Sequence, residues 1–236
     1  MRVLKILAVD SSAKSASVAI TEDDRLISES FVNVGLTHSE TLMPMIESSL
    51  NNAKLNINDI DAFCVTTGPG SFTGIRIGVA AIKGLAQPGK KLCGGVSTLE
   101  AMAYNLADFN GIVCCAMDAR CSQVYTAIFE VSHKSIKRLT EDMAIPIDEL
   151  FRMLSAYDSD IILVGDGAQL CYDSFGEKLY SCSLACGMLR FQRAYGAVLS
   201  ALSHDDVFKS PEILAPIYIR PPQAERELKK KKENLK

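Results

Sequence analysis

Apolar positions along this chain follow two spacings, and the switches between them mark the elements. A mainly apolar run from Ile60 to Val65 has the character of a buried strand, and Gly68-Pro69-Gly70 interrupts it. Beyond that break Ile75, Val79, Ile82 and Leu85 recur at helical spacing, so a helix is predicted from Phe72 to about Ala86, where Gln87-Pro88-Gly89 stops it. Upstream, Leu4 to Val9, Ser15 to Thr21 and Arg25 to Phe31 form three short runs separated by small and polar turns, a β-meander with Asp10 at its first corner. Thr37-His38-Ser39-Glu40 has the spacing of a capping box and opens a helix whose stripe is Leu42, Met45, Ile46, Leu50 and Ala53. Pro44 inside that helix removes a backbone donor and predicts a kink in the second turn. Lys91 to Val96 adds a strand and Glu100 to Leu106 a helix.

The pattern then restarts. Gly111 to Asp118 is an apolar strand ending in Asp, followed by strands over Gln123 to Glu130 and Ile136 to Leu139, a helix from Ile147 to Tyr157, a strand from Ile161 to Val164 and a second glycine turn, Gly165-Asp166-Gly167. A last helix is expected from Met188 to Leu202, and Pro221-Pro222 ends the regular part. Two halves of like element order, each a meander followed by alternating helix and strand, describe an α/β, ribonuclease-H-like or actin-like ATPase fold with two similar subdomains. The expected division is residues 1–104, completed by a helix at 188–203, then 105–187, with a basic tail at 221–236. In such a fold a nucleotide would lie between the halves.

Composition narrows the function classes. With 48% hydrophobic and 22% charged residues in 236, the chain has enough apolar material for a full core. A net charge of −3 gives no global attraction to nucleic acid, and Lys229 to Lys232 concentrate basic charge in the tail. Lys5 and Asp10 break the N-terminal apolar stretch too early for a signal peptide, and no later run is long enough to span a bilayer, so a cytoplasmic protein is expected. Eight scattered cysteines without a C-x-x-C pair fit free thiols in a reducing compartment. The three histidines, His38, His133 and His204, form no metal-binding spacing, so no metal site is expected.

Candidate chemistry gathers at the corners and turns. A strand, glycine turn and helix aim backbone N–H groups and a positive dipole end at one point, which suits an anion; equally, the glycines let helix and strand pack closely. Asp10, Ser11, Ser12, Gly68, Gly70, Asp118, Gly165 and Gly167 are therefore candidate nucleotide or anion contacts, against the alternative that the acids and hydroxyls bond their own turns. No lysine pair follows Gly74, so a P-loop is absent. Arg76 in the first helical turn opposes the helix dipole, and an anionic partner would explain it. The two N-terminal helices also carry small residues, Gly78, Ala81 and Gly84, that would let a second helix pair approach, so a helix-on-helix dimer is a further expectation.

Several segments together resemble one family. Asp10-Ser11-Ser12, His38-Ser39-Glu40-Thr41-Leu42-Met43-Pro44-Met45-Ile46, Gly68-Pro69-Gly70-Ser71-Phe72-Thr73-Gly74-Ile75-Arg76-Ile77-Gly78, Asp118-Ala119-Arg120 with Val124-Tyr125, and Pro216-Ile217-Tyr218-Ile219-Arg220 are similar to the bacterial TsaB (YeaZ) family. The resemblance implies a non-catalytic subunit that works with a TsaD-type catalytic subunit, a TsaE-type ATPase and a TsaC-type enzyme. Together they form threonylcarbamoyladenosine beside the anticodon of tRNAs reading codons that begin with A, tRNA being reached indirectly through the complex. It implies a heterodimer, or a homodimer when alone, through His38, Leu42, Met43, Met45, Ile46, Phe72, Ile75, Arg76, Val79, Ala81 and Ile82. No cofactor of its own is implied, although ATP or ADP can lodge at the complex interface. Where the catalytic sister has two metal-binding histidines four apart, this chain has Thr98 and Met102, which cannot replace two imidazoles. The rival from the fold alone is an ATP-dependent phosphotransferase or ATPase resting on Asp10, Asp118 and the glycine turns; a peptidase has no visible nucleophile and base.

Overall fold

The computed structural model describes residues 3–220; the basic tail expected at 221–236 lies outside them. The chain opens with the expected meander, β1 (Lys5–Asp10), β2 (Ala16–Glu22) and β3 (Arg25–Val32), then α1 (His38–Ala53), β4 (Ala62–Gly68), α2 (Phe72–Ala86), β5 (Leu92–Ser97) and α3 (Thr98–Tyr104). The pattern repeats as β6 (Gly111–Asp118), β7 (Gln123–Ser132), β8 (Ser135–Arg138), β9 (Met143–Pro146), α4 (Ile147–Leu154), β10 (Ile161–Val164), α5 (Ala168–Phe175) and β11 (Cys182–Leu184). The described part closes with α6 (Ala194–Leu202) and the two-residue β12 (Phe208–Lys209).

The two sheets share one topology. In the first, the order is β12-β5-β4-β1-β2-β3, and in the second β11-β10-β6-β7-β8. β1 runs antiparallel to β2, with Val9 opposite Val18, and parallel to β4, with Ala8 beside Cys64. β6 repeats this, antiparallel to β7 with Cys114 opposite Ile128 and parallel to β10 with Leu163 beside Cys114. The central strands β1, β4 and β6 are covered on both faces, which is why they are continuous apolar runs rather than alternating ones. This is the α/β, ribonuclease-H-like and actin-like architecture.

Helices form the remaining layers. One face of the first sheet packs Leu7, Val9, Ile20 and Phe63 against Leu42, Ile46, Ile75 and Ile82 of α1 and α2. Its other face, Ile6, Ala8 and Cys64, meets the small residues Ala194, Ala197 and Ala201 of α6. In the second sheet Ile112, Cys114 and Leu163 face Leu150 of α4 and Cys171 and Phe175 of α5, while Val113, Cys115 and Phe129 face Leu99 and Met102 of α3. Each fully buried large side chain contributes about 1.5–3 kcal/mol, so both halves are held mainly by these faces.

Several elements depart from the sequence expectations. Thr37 is the N-cap of α1, yet its hydroxyl makes no capping bond, because its carbonyl already accepts from Glu40 N and Thr41 N and leaves that hydroxyl no donor at the third helical position. The third strand of the second half is split into β8 and β9, which pair with opposite ends of β7. α5 was not expected, and it begins directly on the second glycine turn. The last helix starts at Ala194 rather than Met188, because Arg190 and Phe191 turn aside to offer their carbonyls to Gly165 N and Asn105 Nδ2. No helix among the described residues is long and apolar enough to cross a membrane.

Candidate functional site

The two glycine turns and the two aspartate corners meet at the cleft between the halves. Asp10 ends β1 in full burial, where its Oδ1 accepts from Ser12 N at 2.9 Å and Ser12 Oγ at 2.8 Å. Oδ2 is buried with no hydrogen-bond partner, and burial pushes the carboxyl pKa up despite the Ser12 bonds and the nearby Thr66 and His38. A carboxyl in that setting favours its neutral form. The first glycine turn closes on the same corner: Ser71 N donates to the Ser12 carbonyl at 2.6 Å, and Ser11 Oγ donates to the Gly74 carbonyl at 2.9 Å. At Gly70 and Gly74 a Cβ would strike the carbonyls of Ser12 and Ser11, and at Gly68 that of Ile217. These glycines therefore serve close backbone approach. Gly165 and Gly167 do the same against the backbone of Ala116 and Met117.

A cavity of ≈ 660 Å³ opens between the corners. Ser12, Lys14, Asp118, Arg120 and Asp166 line it together with Phe72, Tyr125, Tyr218 and Arg220. Asp118 accepts from Arg120 N at 2.7 Å and pairs with that residue's guanidinium at 3.5 Å. Asp166 accepts from Gln192 Nε2 at 2.9 Å, and burial raises its pKa, with the charges of Asp118 and Asp10 adding to the effect. A metal-bound triphosphate needs ionised oxygen ligands and free N–H groups. Here Asp10 is buried and does not line the cavity, Asp118 is paired with Arg120, and the Ser71 amide is taken by Ser12, so these residues do not fit that group. Among the described residues no cluster of three or more His, Cys, Asp or Glu side chains is arranged to hold a metal ion.

The predicted helix interface divides sharply by burial. Leu42, Met45, Ile46, Ile75, Val79 and Ile82 are core residues packed on the first sheet, so in the folded chain they have little or no surface to offer a partner. The periodicity that singled them out is the signature of their own sheet contact. Gly78 is inside as well, against Ser11 Oγ and Val65. Of the expected set, Met43 is 47% exposed, Arg76 is exposed, and His38, Phe72 and Ala81 are half-buried. His38 Nε2 sits 2.7 Å from the Ala13 carbonyl, tying the start of α1 to the β1–β2 corner. Arg76 has partners within the chain: its guanidinium lies 3.9 Å from the Phe72 ring centroid, and its Nε donates to Tyr218 OH at 2.8 Å. Outward, α1 presents Met43 and Pro44 between Glu40 and Glu47, and α2 presents Ala80 and Gly84 beyond Arg76, with Ala81 half-covered beside them.

Comparison with known proteins places this geometry. A family model described as "TsaD: tRNA N6-adenosine threonylcarbamoyltransferase" matches residues 33–208. The tRNA threonylcarbamoyladenosine biosynthesis protein TsaB of Bacillus subtilis is 31% identical over 167 residues, 71% of this chain and 73% of that protein. Its Escherichia coli counterpart is 32% identical over 169 residues, 70% and 73% of the two chains. The chain belongs to the TsaB family of tRNA threonylcarbamoyladenosine biosynthesis proteins. The solved YeaZ structure from Pseudomonas aeruginosa shares the fold, with a TM-score of 0.74 at 24% identity, covering 91% of this chain and 99% of that one.

Within this TsaB-family fold Thr98 and Met102 lie fully buried on the inward side of α3, Met102 in the second half's core. The eight cysteines are free, and five are buried. Burial pushes the thiols of Cys64 and Cys171 up to about 12 and those of Cys93 and Cys182 to about 11, so they stay protonated and inert. Lys14, Tyr125 and Arg220 line the cleft without having been singled out as contacts. Tyr125 and Arg220 do fall in the segments that carry the family resemblance, which was the available signal.

Proposed function

We propose that this protein is a non-catalytic subunit of the threonylcarbamoyl-transfer assembly. It seats a TsaD-type catalytic subunit on the outer face of α1 and α2, with a TsaE-type ATPase joining the pair and a TsaC-type enzyme supplying the threonylcarbamoyl-adenylate. It reaches tRNA through that complex in the cytoplasm, pairs with itself through the same face when alone, and leaves any ATP or ADP to the interface with its partners. The observation that carries the reading is the outward surface of α1 and α2. Two long neighbouring helices keep their large stripe inside, yet present Met43, Pro44, Ala80 and Gly84 outside, small and apolar positions bordered by the exposed charges of Glu40, Glu47 and Arg76, a face that another helix pair can approach. The unsuitability of the Asp10 corner for a metal-bound phosphate supports the absence of catalysis.

Mixing the purified chain with a TsaD-type subunit tests the reading by size-exclusion chromatography and calorimetry. A one-to-one complex is expected, together with no magnesium-dependent ATP turnover by the chain alone. Turnover by the isolated chain that Asp10→Asn abolishes would overturn the reading in favour of a phosphotransferase.

A further inference from the structure

The segment after β12 is irregular yet densely bonded, and it joins both halves. At its start Lys83 Nζ donates to the carbonyls of Glu212 at 3.1 Å and Leu214 at 3.0 Å, and Leu214 is buried in the first half's core. Ile217 N then donates to the Thr67 carbonyl at 2.8 Å, and the Ile217 carbonyl lies against Gly68, where a Cβ would have no room. The Tyr218 ring stacks on Phe72 with centroids 4.2 Å apart, and its hydroxyl accepts from Arg76. Two residues later the chain has crossed to the second half. Arg220 donates to the Ala119 carbonyl at 3.4 Å and to Gln123 Oε1, with its guanidinium 5.7 Å from the centroid of the Tyr125 ring. Ile217 through Arg220 also form one wall of the cavity between the halves.

In a two-lobed fold a ligand bound between the lobes selects one opening, because it contacts both walls at once. Here the residues at the corners do not fit a metal-bound phosphate, while a stretch of the chain itself contacts both walls. We propose that Leu214 to Arg220 is a built-in clasp that fixes the opening between the halves, replacing a bound nucleotide in that role. The inference stands apart from the partner assignment. Its parts are separable: Tyr218 and its Phe72–Arg76 stack anchor the clasp to the first half, and Arg220 engages the second. Other links also join the halves and compete for the role: Ser15 Oγ to Gln192 Oε1 at 3.4 Å with Gln192 Nε2 to Asp166 Oδ1 at 2.9 Å, and, beside α3, Ser97 Oγ to Asp142 Oδ2 at 2.5 Å with Arg138 paired to Glu100 at 3.1 Å.

The test is a distance measurement by pulsed electron spin resonance between labels on Asn52→Cys in α1 and Lys137→Cys in β8, with the exposed Cys121 and Cys186 replaced by serine. The parent protein is expected to give one narrow distribution that magnesium-ATP and magnesium-ADP leave unchanged. Arg220→Ala and Tyr218→Ala should each broaden it roughly twofold or more, Arg220→Lys should broaden it less, and the far-ultraviolet circular dichroism of all three should match the parent. Unchanged widths in both alanine variants would overturn the proposal and leave the opening to the Gln192 bridge and the Ser97–Asp142 and Glu100–Arg138 contacts. Narrowing of a broadened variant by either nucleotide would overturn it too, because a ligand would then set the opening.

Discussion

The two halves share a strand order but build their helix layers and corners differently. In the first, two helices of 16 and 15 residues cover the sheet; in the second, α4 and α5 have 8 residues each. The long helices bury one stripe and still have an outer face to offer, whereas eight residues provide little beyond what the sheet needs. The corners diverge in parallel. Asp10 is sealed inside and held by Ser12, while Asp118 stands half-exposed and paired with Arg120. Topology was thus kept in both copies, and the difference in use lies in helix length and in how far each aspartate is shut away from solvent.

The largest expected effect strikes what the halves have in common. Ile75→Ala in the first core and Leu150→Ala in the second should each cost about 2–5 kcal/mol in urea unfolding, as deletions of buried side chains do. Because α3 packs on the second sheet and against α6, which covers the first, both variants should shift a single transition; a second transition in either would show that the halves fold independently.

The next effect separates them. Met43→Glu or Ala81→Glu should weaken association with a TsaD-type subunit roughly tenfold or more while melting stays within a degree or so, a charge at an interface centre being worth several kcal/mol against. Leu170→Glu, at an exposed apolar position on α5, is the matched control and should leave association unchanged. Equal losses in both would remove the distinction between the two helix layers.

The corners differ in pH response. The Asp10 pKa is raised in the folded state, so its contribution to stability is full below the unfolded value and is lost as pH rises through the folded one. At neutral pH the wild type carries a penalty for that buried carboxyl, which faces His38 and the likewise raised Asp166. Asp10→Asn should therefore raise the melting temperature at neutral pH, and the gain should shrink on acidification. Asp118→Asn removes only a half-exposed pair and should change stability by about 1 kcal/mol or less. The smallest effect is Gly84→Ala: a Cβ there meets nothing within 4 Å, so the substitution should stabilise by about 0.4–1 kcal/mol.

Much of the fold was legible in the sequence because buried strands are apolar runs and long helices are periodic. The bounds Phe72 to Ala86, Gly111 to Asp118 and Ile161 to Val164 agree with those observed. β9 and α5 were not legible although β10 and α4 are as short: β9 buries Ile145 alone, and α5 buries Ala168, Cys171 and Phe175 while exposing Leu170, so neither shows a clean apolar face. That about half of the expected interface on α1 and α2 lies buried has a deeper reason: an apolar stripe states that a helix covers something, and that something is first its own sheet. Outward residues such as Ala80 and Gly84 carry no periodic signal. The contacts of Arg76 were equally hidden, since Tyr218 lies 142 positions away and only the folded chain brings it near.

The most direct test of the central claim is threonylcarbamoyl transfer to a substrate tRNA with TsaC-, TsaD- and TsaE-type proteins present, with and without this chain and with its Met43→Glu, Ala81→Glu double variant. The account predicts that modification requires the chain and fails with the folded double variant. Equal modification without the chain, or full support from a double variant that no longer binds the catalytic subunit, would contradict it.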